Sequence, residues 1–307
     1  MLSIYILKKT LSKYLNTKKL LPVAVNSDEK TGRIVLVSGE EERDITTRHA
    51  LISLNPFAIA LNATTTKNFH DSPVLILYSG ETELARMQLY LSRVQRSQSF
   101  ELKIYHATIP KKSFPFLSRY WTMLLLQLKN STNKKSRNFI VPPAELLKLF
   151  VYSLLPRPVY LISLLHSSGF DAFPIDIAGM IAPDLMIFSI RKSSALVQKI
   201  LATKKFCAST VPFEERSKAY ELGKYHPDGI LPGAFSNLFS SASPKSEIPV
   251  PDFAVDILEL EVIDSFNDGV HVQLVVRVIN EYRVNQVPVL AHTPWFNPVY
   301  FKNKFAG

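Results

Sequence analysis

The chain has 307 residues, 47% hydrophobic and 20% charged, with one cysteine and a net charge of +10. That composition excludes a disordered chain, and the lone thiol, Cys207, excludes an intrachain disulfide framework or a cysteine metal site. Apolar runs fall short of the roughly 18–20 residues that span a bilayer, and Lys8, Lys9, Lys13, Lys18 and Lys19 break up the N-terminal one, so a cytoplasmic protein is expected.

The charge is uneven. Residues 1–138 carry 21 Lys and Arg against 10 Asp and Glu; residues 139–307 carry 15 against 16. Two units are therefore expected: a basic N-terminal α/β unit over 1–138 and a second unit over 139–307. A basic surface suits an anionic partner. The basic residues form no Arg-rich helix, zinc-finger spacing or aromatic RNA-binding pattern, so nucleic acid is not the expected partner.

In chain order, Thr31-Gly32 reads as a turn, Ile34 to Val37 as a strand, and the acidic run Glu40 to Glu42 as a loop. Ala50 to Leu61 reads as extended around Pro56, and Pro73 to Tyr78 as a buried strand. Over Thr82 to Arg96, Leu84, Met87, Leu91 and Val94 have helical spacing, which predicts a helix. Phe100, Leu102 and Ile104 alternate as in a strand, and Phe116 to Leu128 reads as a helix. The polar stretch Asn130 to Asn138 is the expected linker. The order strand, turn, helix, strand from Val74 to Ala107 echoes that from Leu185 to Val211, which raises a degenerate duplication as an alternative.

The second unit opens on Pro142-Pro143 and Glu145, a helix-start signal. Leu155-Pro-Arg-Pro-Val-Tyr-Leu-Ile-Ser-Leu164 reads as a buried strand with a rigid entry, followed by a hairpin at Ser167, Ser168 and Gly169. Phe173-Pro-Ile-Asp-Ile-Ala-Gly179 and Leu185 to Ile190 are further strands; Arg191-Lys-Ser-Ser194 is a polar turn before a helix, and Lys205 to Val211 is a strand. Glu214 to Tyr225 reads as helical and Gly229 to Pro251 as a long loop or lid. Asn267-Asp-Gly269 is a hairpin turn between two alternating strands.

From the helix before Pro156-Arg-Pro158 to the late Asp-Gly hairpin, about residues 140–281, this order resembles the flavin reductase-like family of FMN-binding split barrels. The resemblance implies an α/β (α+β) chain. Its C-terminal half would be a split β-barrel of Greek-key type, dimerising and holding FMN at the subunit interface. It further implies FMN rather than FAD, NAD(P)H as co-substrate, and hydride chemistry performed by the cofactor, with no catalytic side chain required.

Two stretches would carry the flavin by this resemblance. Asp176, Ile177, Ala178 and Gly179 would line the ribityl chain and ring, with Gly179 allowing close backbone approach. Asp176 departs from the family's hydroxyl, since an ionised carboxylate accepts and does not donate. Ser189, Arg191, Lys192, Ser193, Ser194 and Lys199 would hold the phosphate, where helix N-terminal amides and cations favour an anion. Leu196 replaces a hydroxyl that the family often has. His226 and Arg157 are substrate candidates, Arg157 with a structural ion pair as the alternative. Trp295 and Phe296 could cover the ring or pack.

The sequence has no HExxH, Walker A or GxGxxG, so no metal, P-loop or Rossmann site is indicated. The competing reading is a non-catalytic split-barrel binding or interaction module whose basic first unit recruits an anionic partner.

Overall fold

The computed structural model describes residues 20–25, 32–110, 141–167, 169–224 and 233–294. The expected helix over 116–128, the linker 130–138, Ser168, His226, Trp295 and Phe296 lie outside the described residues.

The first unit is a seven-stranded antiparallel sheet. Its strands are β2 (Arg33–Ser38), β3 (Glu41–Asp44), β4 (Ala50–Leu54), β5 (Phe57–Asn62), β6 (Val74–Ser79), β7 (Thr82–Arg96) and β8 (Glu101–Ala107), ordered β3-β2-β6-β7-β8-β5-β4. The helix expected over Thr82 to Arg96 is strand β7. Ala85, Met87 and Leu89 are buried while Gln88 and Tyr90 are exposed, a period of two. The same apolar residues fit both periods, and pairing with β6 and then β8 decides between them. Glu41 and Glu42 also belong to a strand, β3, on an exposed sheet edge where charge is tolerated. Among the described residues no α-helix precedes residue 143, and those residues are mostly β-sheet with few helices.

The second sheet has β10 (Tyr160–His166), β11 (Gly169–Ile175), β12 (Ala178–Ala182), β13 (Leu185–Arg191), β14 (Lys205–Thr210), β17 (Asp256–Asp268) and β18 (His271–Arg283), ordered β11-β10-β14-β17-β18-β13-β12. Counted along the chain within each sheet, both orders read 2-1-5-6-7-4-3. The echo expected between Val74–Ala107 and Leu185–Val211 does not hold as read, because Thr82–Arg96 is a strand and β6 corresponds in order to β14, not to β13; the two sheets share their strand order instead. The connections differ. Between its fourth and fifth strands the second sheet inserts α2 (Leu196–Thr203), where the first has the single 3-10 turn Ala63–Thr66. The Asp-Gly hairpin forms as expected, with Asp268 facing His271 and Gly269 at φ +52°.

Smaller elements tie the units together. Helix α1 (Pro143–Tyr152) starts at its proline as expected, but Leu146, Leu149 and Phe150 pack into the first sheet's core with Phe57, Ile59 and Leu77. Glu145 on that helix accepts hydrogen bonds from the Phe57 amide at 2.6 Å and Lys148 at 2.7 Å. Strand β1 (Leu20–Val25) pairs with β19 (Val289–Pro294), which also pairs with β9 (Arg157–Pro158). The first sheet ends at Ala107 and the second begins at Tyr160, while α1 packs on the first and β1 pairs with β19.

The expected lid over Gly229 to Pro251 is not an open loop across its described part. Phe239, Ser243, Ile248 and Val250 are buried, and β15 (Ser241–Ala242) pairs with β16 (Pro249–Val250). The Phe239 ring meets Phe170 edge-on at 4.9 Å. The helix expected from Glu214 is a 3-10 turn followed by α3 (Arg216–Gly223).

Candidate functional site: the cleft between the two sheets

Strand β4 of the first sheet packs on β12 and β13 of the second. Ala50, Ile52, Phe100, Leu102 and Ile104 form one buried cluster with Ile181, Leu185, Ile187 and Val275. Each large apolar side chain so buried contributes roughly 1.5–3 kcal/mol. Polar stitches run through this seam. The Gln273 side-chain amide donates to the Ile52 carbonyl at 2.7 Å, and the Ser189 hydroxyl reaches the Leu51 carbonyl at 3.5 Å. At its rim, Arg93 pairs with Asp268 at 3.2 Å.

A cleft of about 260 Å³ opens beside the seam. Its walls come from equivalent parts of the two sheets. Gly32 and Ile34 lie at the start of the first sheet's first strand, as Pro158 and Tyr160 do in the second. Thr46, Thr47 and His49 precede β4, and Ala178, Gly179 and Met180 belong to β12. Tyr152 and Leu155, at the end of α1 and just after it, add an apolar wall.

His49 is 8% exposed and its Nδ1 lies 2.6 Å from the Ile45 carbonyl oxygen. A carbonyl only accepts, so Nδ1 carries the proton and Nε2 keeps a lone pair. Burial pushes this imidazole down to about 4, outweighing the bond to Ile45 and the Asp44 charge, so it is neutral near pH 7. Its ring meets Tyr152 edge-on at 5.4 Å. Burial raises the Tyr152 hydroxyl well above the usual phenol range and pushes Tyr160 up to about 12, so both are uncharged donors.

The sequence-derived candidates divide into groups. Ala178 and Gly179 line the cleft, and Arg157 borders it. Gly179 is needed for packing between the sheets, since a Cβ there would collide with the His49 carbonyl oxygen and lie 2.9 Å from Ala50 Cα. Ile177 is buried in the first sheet's core cluster. Ser189 faces the seam.

Asp176 is engaged by protein groups. Arg157 donates to its carboxylate and to its backbone carbonyl, each at 3.0 Å, and His292 lies 2.8 Å from the same carboxylate oxygen. Tyr220 continues the chain to His292 at 2.8 Å, with the two rings stacked. Burial alone would raise the Asp176 carboxyl; the Arg157 charge and the His292 hydrogen bond outweigh it and hold it well below the usual carboxylate range. Arg157 thus takes the structural role that the sequence left open.

The polar turn keeps Arg191, Lys192, Ser193 and Ser194 together, as expected from their adjacency. Arg191 is half-buried, and burial lowers its guanidinium from the ordinary value while the nearby Asp176 charge opposes that. Lys192 and Ser193 are exposed. Ser194 is buried, and its hydroxyl accepts from the Leu196 amide at 3.4 Å. The amides of Lys192, Ser194 and Val197 bond the Val270, Arg191 and Ser194 carbonyls, while those of Ser193 and Ala195 have no backbone partner among the described residues. Lys199 points elsewhere: it pairs with the buried Asp171 carboxylate at 2.6 Å, which also meets His166 at 2.8 Å.

His49, Tyr152 and Tyr160 were missed as site residues. A sequence signal existed only for Tyr160, inside the Pro-Arg-Pro-Val-Tyr run. His49 lies just before β4 of the other sheet, 129 positions before Ala178, and the packing of β4 on β12 brings it in.

A family model described as Flavin reductase like domain matches residues 152–299. That stretch, which holds the second sheet, α2 and the polar turn, is a flavin reductase-like domain. Solved structures similar to the chain include three that cover about half of it. An FMN-binding protein from Thermus thermophilus with bound p-hydroxybenzaldehyde is 19% identical, over 42% of this chain and 72% of that one, at a TM-score of 0.38. A nitrilotriacetate monooxygenase component B from Mycobacterium thermoresistibile is 19% identical, over 47% and 79%, at 0.41. The NADH:FAD oxidoreductase of Streptomyces globisporus is 18% identical, over 51% and 93%, at 0.42. No curated protein matches the chain.

Proposed function

We propose that the chain binds FMN and acts as a flavin reductase-like oxidoreductase with NAD(P)H as the electron donor. The observation that carries this reading is the cleft on β12, within the domain that matches the flavin reductase model. Among the described residues it is walled by apolar groups and uncharged polar ones, apart from Arg157, which is paired with Asp176. Such a site suits a planar, uncharged ring system.

The phosphate end fits in part. Arg191 and Lys192 supply positive charge, and Ser193 offers a hydroxyl and an amide beside the start of α2. One basic turn suits one terminal phosphate, which favours FMN over FAD. Asp176 and Lys199 do not fit the roles the family resemblance implies, because each is held by an oppositely charged protein group. Asp176 acts instead as a positioning residue that fixes Arg157 at the cleft border.

A bound flavin would supply the two-electron chemistry, accepting hydride from a reduced nicotinamide. The chain's own residues bind, orient and exclude water. The test is an absorbance spectrum of the purified protein after incubation with excess FMN and desalting, followed by anaerobic addition of NADH or NADPH. Retained flavin that bleaches with one of them supports the reading; absence of retained flavin removes it.

A further inference from the structure

The two sheets share one strand permutation and meet through equivalent strands, with β4 packed on β12. The pairing is reciprocal. The β17–β18 turn of the second sheet abuts the β4–β5 turn of the first: a Cβ on Gly269 would collide with the Asn55 carbonyl and the Ser53 hydroxyl. Conversely Phe100, in the β7–β8 turn of the first sheet, clusters with Ile181 and Leu185, which flank the β12–β13 turn of the second. This is the arrangement of two subunits about a two-fold axis, built here from one chain.

The halves are not equally equipped. Where the second sheet has the Arg191 to Ser194 turn and α2, the first has Asn62 and the 3-10 turn Ala63–Thr66. There Arg43 bonds the Thr65 carbonyl at 2.6 Å and Lys103 the Thr66 carbonyl at 3.2 Å, and the exposed Lys67 caps the turn.

The first sheet nevertheless contributes a built polar group to the cleft. His49 is more than nine-tenths buried, its tautomer is fixed by Ile45, and among the described residues Nε2 has no hydrogen-bond partner. His49 is one of the residues lining the cleft, beside Tyr152, whose ring its imidazole meets edge-on. The His49 backbone is seated against Gly179, so the imidazole is held relative to β12.

We propose that the first unit stands in the place of a second subunit, and that its His49 completes one flavin-ring site per chain, with Nε2 accepting a hydrogen bond from the ring N–H. The proposal rests on the flavin reading above. An oxidised isoalloxazine ring has one N–H, at N3, and this is the donor that a neutral imidazole acceptor selects. The cleft, slightly below the roughly 300–1,000 Å³ of drug-sized sites, holds a ring and leaves the ribityl phosphate outside it.

The test uses the full chain and two ring-only probes, lumiflavin and its N3-methyl derivative, with FMN alongside. Wild-type protein is expected to bind lumiflavin about 3- to 10-fold more tightly than the N3-methyl probe, the worth of one neutral hydrogen bond. His49→Leu abolishes that preference, and His49→Gln, which can still accept, keeps part of it. Light scattering with bound FMN is expected to give one flavin on a single 34.7 kDa chain. A preference unchanged in a folded His49→Leu protein, or no preference in the wild type, overturns the role of His49. Binding of FMN only by a chain dimer, or two FMN per chain, overturns the built-in partner. If wild-type protein binds neither FMN nor lumiflavin, the flavin reading itself fails, which is a separate outcome.

Discussion

The side-chain amide of Gln273 donates to the backbone carbonyl of Ile52 at 2.7 Å, joining the seventh strand of one sheet to the third strand of the other across 221 residues of sequence. Gln273 is fully buried, so this bond is made without competition from water. Gln273→Met keeps volume and removes the donor, leaving the Ile52 carbonyl without it. A loss of about 1–3 kcal/mol is expected, read as a lower urea midpoint with an unchanged slope.

Gly179 is a point of close approach between the sheets. Gly179→Ala puts a methyl group against the backbone at His49 and Ala50, which cannot move as a side-chain tip can. Overpacking of about 1–3 kcal/mol is expected. Because the same shift displaces His49, flavin retention should fall further than stability alone explains; a melt and a flavin titration on the same sample separate the two.

The Asp176 network predicts an acid limb. The carboxyl is depressed in the folded state, so its contribution is complete above the ordinary carboxylate range, near pH 3.9, and is lost as pH falls below that toward the folded value. Asp176→Asn leaves Arg157 buried without its counter-charge and is expected to cost about 3–5 kcal/mol near pH 7. The variant should lack this acid limb in a stability-versus-pH series.

His49 and His271 predict a second pH dependence at higher pH. Burial, aided at His271 by the Arg191 charge, brings each from 6.5 to about 4. Between those values the unfolded chain binds protons that the folded one refuses, so stability is full above about pH 6.5 and falls as pH drops toward about 4. Each histidine contributes up to about 1.4 kcal/mol per pH unit in that window. His49→Gln should make the decline visibly shallower in chemical denaturation between pH 6.5 and pH 4.

Arg191 separates phosphate from ring recognition. Arg191→Ala is expected to weaken FMN about 10- to 100-fold, the value of a charge-assisted contact, and to change riboflavin affinity little. Equal losses for both ligands in isothermal titration would place Arg191 away from the phosphate.

The sequence determined most strands, because alternation of buried and exposed residues is a local property: Phe100 to Ala107, the Asp-Gly hairpin and the Pro-Arg-Pro entry are all where their residues put them. It also set the polar turn at Arg191 to Ser194, whose members are neighbours in the chain. It did not decide β7, whose apolar residues satisfy helical and strand periods alike until β6 and β8 pair with it. Nor did it decide which charges are available. Lys199 and Asp176 are polar residues in the right stretch, but Asp171, Arg157 and His292 arrive from other strands and neutralise them. The cleft itself exists only because β4 lies on β12. That contact is made by two surfaces far apart in sequence, and a burial energy shared between them leaves no mark in either stretch alone.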